Sequence, residues 1–159
     1  MKKLLTLLLL VPALAFVACS NDDKDLPKVD FDVTFENATN VDGTLYVVQG
    51  DTFEVASIEV RNLESTKGAY IPQAAFYWDY FYIGASIEPP FAFAVATQST
   101  TPVGLHSLQI NCPVYAVDKE PAFAVIEYKV QVVASADDIP ESTDPAIVRG
   151  KPKITATGK

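Results

Sequence analysis

The chain has 159 residues, with 12 basic and 20 acidic side chains, one histidine and a formal charge of −8. That balance argues against a nucleic-acid partner, whose phosphates need a basic footprint, and against electrostatic docking on anionic lipid. One histidine and two cysteines offer no Cys/His cluster for zinc.

Residues 1–18 read as a secretory signal. Lys2 and Lys3 give a short basic start, and a 14-residue, predominantly apolar run over residues 4–17 contains Thr6 and Pro12. A spanning helix needs about 20 apolar residues, so this run is a signal core and not a membrane anchor. Phe16-Val17-Ala18-Cys19 resembles the lipobox of bacterial lipoproteins, although that family usually has Leu where Phe16 stands. The resemblance implies that Cys19 is acylated and becomes the first mature residue. Two or more acyl chains hold a protein stably on a bilayer, whereas one does so only marginally. Ser20-Asn21-Asp22-Asp23-Lys24-Asp25 is similar to the acidic export tag of Bacteroidota surface lipoproteins. The resemblance therefore implies an outer-membrane lipid anchor facing the cell exterior. The competing reading makes Cys19 an ordinary residue near a signal cleavage site, paired with Cys112.

Removal of 18 of 159 residues leaves 141, enough for one domain with a true core. Lys2 and Lys3 leave with the leader, so 10 basic side chains face 20 acidic ones, a formal charge of −10. Residues 19–28 are polar and acidic, without the periodicity needed to pack, and predict a flexible tether. With Cys19 acylated, Cys112 is the remaining thiol and reads as a small buried apolar residue.

From residue 29 the apolar period is two. Val29, Phe31, Val33 and Phe35 alternate with polar residues as in a half-buried strand. An Asn/Asp/Gly-rich turn over residues 37–43 follows, then a strand over residues 45–48 and a longer one over 52–61. Phe53 and Val55 are out of phase with Ile58 and Val60, which predicts a β-bulge near Ala56-Ser57. Residues 62–68 are a polar loop. Residues 75–83 alternate so densely that they read as one strand, with Phe76, Trp78, Tyr80 and Tyr82 on one face. Tyr77, Asp79, Phe81 and Ile83 then lie on the other. Strands are also predicted over residues 91–97, 105–112 and 122–133. Residues 135–159 are left open between an added edge strand and a segment lying along the domain.

About seven strands separated by turn signals predict an all-β, antiparallel β-sandwich over residues 29–134. Thr101-Pro102-Val103-Gly104-Leu105-His106, followed by a strand ending Tyr128-Lys129-Val130-Gln131-Val132-Val133, resembles the last two strands of bacterial Ig-like and cadherin-like modules. His106 stands where those modules usually carry a Tyr. Tyr46-Val47-Val48-Gln49-Gly50-Asp51-Thr52 is similar to their opening turn. The resemblance implies an Ig-like fold and leaves the function open.

No nucleophile–base arrangement emerges, because Ser107 would point away from His106 on a strand. Asp30 and Asp32 share a face as candidate Ca²⁺ ligands, but that ion takes about 6–8 oxygens and no dense acidic loop is present. They read as solvated strand charges, and neither a metal nor a cofactor is expected. The aromatic stretch is the candidate for recognition. Trp78, Tyr80 and Tyr82 could stack on sugar rings, yet an Ig-like sandwich normally buries a Trp on its third strand. Trp78 is therefore assigned to the core, and Tyr77 and Phe81 flanking Asp79 are the better candidates for a partner-facing patch. The expected function is a non-catalytic, lipid-anchored binding or adhesion module. The alternatives are an accessory glycan-binding lipoprotein of a polysaccharide-uptake system and a structural subunit of a surface assembly.

Overall fold

The computed structural model describes residues 25–64 and 66–157. The leader, Cys19 and residues 20–24 of the tether lie outside the described residues. The strands are β1 (Val29–Glu36), β2 (Thr39–Val41), β3 (Thr44–Val48), β4 (Thr52–Asn62), β5 (Ala69–Tyr70) and β6 (Ala74–Trp78). They continue as β7 (Phe81–Ser86), β8 (Phe93–Ala96), β9 (Gly104–Ala116), β10 (Ala122–Val133), β11 (Ile147–Gly150) and β12 (Lys153–Ala156). Helical structure among the described residues is one 3-10 turn, Ala136–Asp138.

Two sheets form the sandwich. One runs β11-β1-β4-β8 and the other β2-β3-β10-β9-β6-β7, with β12 and β5 added to β10 and β9. The run β10-β9-β6-β7 has the G-F-C-C′ order of an immunoglobulin sheet, and β4 and β8 pair across from it as B and E do. The fold is an Ig-like β-sandwich. The antiparallel expectation holds with one exception: β3 runs parallel to β10, with Leu45 opposite Val130 and Val47 opposite Val132.

The core follows the two-residue period. Phe31, Val33 and Phe35 from β1, Phe53 and Val55 from β4, and Ile126, Val130 and Val132 from β10 are all buried. Phe35 packs edge-on against Tyr128 with centroids 5.0 Å apart. The phase slip in β4 is a bulge at Ala56: Ser57 pairs with Thr34 and Val55 with Phe35, leaving Ala56 unopposed. That extra residue lets Val55 and Ile58 both face inward. Cys112 is fully buried, and burial pushes its thiol up to about 12.

Three segments differ from expectation. Residues 25–28, predicted as flexible tether, are docked on the domain. Pro27 is buried, Lys119 Nζ lies 2.6 Å from Asp25 Oδ1, and Glu120 N–H donates to the Asp25 carbonyl at 3.1 Å. The turn region over residues 37–43 contains the short strand β2, closed onto β3 by left-handed Asp42 and Gly43. The tail supplies an edge strand to each sheet, β11 on β1 and β12 on β10. Gly150 lies between them, where an added Cβ would collide with Ile126 and Tyr128. The loop leading to β11 is strapped to Asn40, whose Nδ2 donates to the Pro145 carbonyl at 3.0 Å and whose carbonyl accepts from Ser142 Oγ at 2.6 Å.

Candidate functional site

Residues 75–83 do not form one strand. The chain reverses at Asp79 and Tyr80, both in the left-handed region (φ 47° and 70°), making a two-residue hairpin turn between β6 and β7. The reversal overturns the predicted faces. Tyr82 lies opposite Tyr77 and Phe81 opposite Trp78, so Phe81 and Tyr82 exchange sides relative to an uninterrupted strand. Aromatic residues flank the turn on both sides and no glycine punctuates it, so the alternation runs through without a visible break. Asp79, the one charged residue in the run, was the available signal.

The hairpin places each predicted residue differently. Tyr80, Phe81 and Tyr82 are 69%, 77% and 62% exposed, and Ile83 and Ile87 are exposed as well. Tyr77 is half-buried, edge-to-face with Tyr82 at 5.6 Å between centroids. On the outer sheet face, Tyr82, Tyr77, Gln109 and Glu127 form one row across β7, β6, β9 and β10. Trp78 is neither fully buried nor an exposed platform. It packs against the core beside Phe53 at 6.2 Å, and its other neighbour is the His106 ring, stacked at 5.0 Å and 22°.

Asp79 is consumed by support. Its Oδ1 accepts the Ser107 N–H at 2.9 Å, its own N–H donates to the Ser107 carbonyl at 2.9 Å, and its Oδ2 lies 2.6 Å from His106 Nδ1. The turn is thereby fastened to the first residues of β9. His106 Nε2 lies 2.8 Å from the Pro102 carbonyl, four residues upstream. A tyrosine at the start of this strand makes the equivalent backward contact in immunoglobulin domains. His106 makes the corner contact here and grips the hairpin as well. The pairing of His106 with Asp79 leaves no mark in the sequence, because 27 residues separate them and only the register of β6 on β9 brings them together.

Between the free edges β7 and β8 lies a groove of about 350 Å³ bordered by Trp78, Ile83, Phe93 and Gln98. Gly84 makes room for Phe93. The Phe93 ring occupies the space a Cβ at Gly84 would take and stacks on Phe76 at 4.3 Å. The carboxylates considered for Ca²⁺ are engaged elsewhere: Asp32 contacts Arg61 at 2.8 Å and Arg149 at 3.4 Å, and Asp30 faces Arg61 at 4.0 Å. Among the described residues, no group of three or more His, Cys, Asp or Glu is placed to hold a metal ion. No helix among them is long and apolar enough to cross a membrane.

No protein-family model matches the chain, and no curated protein matches it. Among solved structures, the fibronectin(III)-like modules of Clostridium thermocellum CbhA are similar at 16% identity, over 62% of this chain and 94% of that one, with a TM-score of 0.38.

Proposed function

We propose that the protein is a lipid-anchored surface module that acts by binding, with the tip and outer face of the β6–β7 hairpin as its recognition element. One observation carries this reading. Tyr80, Phe81, Tyr82 and Ile83 are four consecutive, uncharged, exposed residues at the tip and on both faces of one hairpin, in a chain that is otherwise strongly acidic. Large apolar side chains exposed together on one element mark contact with a partner more often than singly scattered ones do. Tyr and Phe supply large contact area with few rotatable bonds, which suits the centre of an interface. Left-handed Tyr80 adds to this, since such a backbone position favours glycine and an aromatic there is costly.

The lipobox-like Phe16-Val17-Ala18-Cys19 and the acidic segment after it support anchoring through Cys19 in the outer membrane, facing outward. Tyr77, Tyr80, Phe81 and Tyr82 are the contact residues in this proposal, and Trp78 and Asp79 hold them in place. The Tyr82–Tyr77–Gln109–Glu127 row favours a glycan as second reading, because planar rings beside amide and carboxylate groups suit sugar C–H faces and hydroxyls. The test compares the full chain with a Tyr80→Ser, Phe81→Ser, Tyr82→Ser variant against a panel of soluble polysaccharides and outer-membrane proteins. A ligand whose affinity falls at least about tenfold supports the hairpin, at about 1.4 kcal/mol per tenfold. A ligand bound equally by both proteins removes it. For the anchor, radiolabelled fatty acid incorporated by the wild type and absent from Cys19→Ser is the expected result.

A further inference from the structure

We infer that His106 is a proton-dependent latch: the charged ring ties the recognition hairpin to the turn preceding β9, and the neutral ring releases one of the two ties. The geometry requires this. His106 Nδ1 faces the Asp79 carboxylate at 2.6 Å, and Nε2 faces the Pro102 carbonyl at 2.8 Å. Both partners are acceptors. A neutral imidazole has one N–H and one lone pair, so it can satisfy only one of them and sets its lone pair against the other. The imidazolium donates to both. It also stacks on Trp78 at 5.0 Å, where a cation over the indole face is favoured.

The remaining charged and titratable neighbours do not replace it. Glu127, Tyr128 and Lys129 of β10 line the same cleft, with Asp79 and Tyr80 of the hairpin. Glu127 accepts from Ser107 Oγ at 2.7 Å, and the Tyr128 hydroxyl turns away to the Val148 carbonyl at 3.3 Å. The turn before β9 contributes the Pro102 carbonyl and no charge. Burial of the ring, with its side chain 10% exposed, opposes the charge, but the Asp79 and Pro102 hydrogen bonds outweigh it and raise the pKa above the ordinary 6.5. The latch is therefore complete below about pH 6.5 and opens as pH rises through the higher folded value.

The functional meaning rests on the hairpin being the recognition element, whereas the latch itself does not. Its test needs no ligand, so a failure to find a partner leaves it standing. His106 is the one histidine and Trp78 the one tryptophan, so both signals are assigned by composition. The full chain is titrated from about pH 5 to about pH 9, following the His106 ring protons, Trp78 emission and the backbone amides of the β6–β7 turn. The expected result is one shared midpoint above 6.5, with the β1 amides unmoved, and a lower midpoint in Asp79→Asn. A His106 midpoint at or below 6.5 overturns the latch. So does a hairpin whose amides and Trp78 emission stay flat while the ring titrates.

Discussion

Tyr82 faces Tyr77 across the β6–β7 hairpin, rings edge to face with centroids 5.6 Å apart, because the chain reverses at two left-handed residues between them. The second of these, Tyr80, occupies a position where glycine is the preferred residue of a two-residue hairpin turn. Tyr80→Gly removes the left-handed penalty of about 1 kcal/mol and raises the thermal midpoint by about 4 °C. The same change weakens binding at the hairpin. A midpoint that falls on thermal unfolding would mean that the Tyr80 ring stabilises the turn.

Gly150 sits where the chain leaves β11 for β12, and an added Cβ meets Ile126 and the Tyr128 ring. Both neighbours belong to the central strand β10 and cannot give easily. Gly150→Ala costs about 1–3 kcal/mol, as overpacking of a filled core does, and chemical denaturation of the variant measures it. An unchanged denaturation midpoint would show that β11 is not held against β10.

Removal of residues 146–159 strips an edge strand from each sheet and uncovers Val148's contacts with the core. It also takes the carbonyl acceptor of the buried Tyr128 hydroxyl. The shortened chain loses cooperative unfolding or melts well below the full chain in calorimetry.

Cys112 is fully buried in β9, and its thiol is pushed up to about 12 by burial alone. Only the thiolate attacks alkylating reagents. Iodoacetamide at about pH 8 therefore leaves the Cys112 peptide unmodified in the folded protein and labels it fully in denaturant, as read by mass spectrometry.

The sandwich was largely legible because its strands keep one side buried, so a strict period of two marks each of them. The β4 bulge was legible for the same reason: Phe53/Val55 and Ile58/Val60 cannot share a face unless Ala56 is extra. β10 was read with the bounds it has, since Glu127 and Lys129 interrupt its apolar side chains regularly. The hairpin was not legible. Both of its strands carry aromatics on both faces, so hydrophobic alternation contains no mark of the turn, and the turn residues Asp79 and Tyr80 lack the usual glycine. The tail strands are four residues each and depend on partners more than 20 residues away, so local pattern could not place them. The His106–Asp79 contact is a product of register, which a single sequence does not display.

The most direct measurement of the central claim is site-specific photocrosslinking on intact cells producing the full chain. A photoreactive phenylalanine analogue is placed at Phe81 in one protein and at Glu59, on the opposite sheet, in another. The account predicts a discrete adduct, protein or glycan, from position 81 and none from position 59. Position 81 giving no adduct, or both positions giving the same one, would contradict the assignment of recognition to the hairpin.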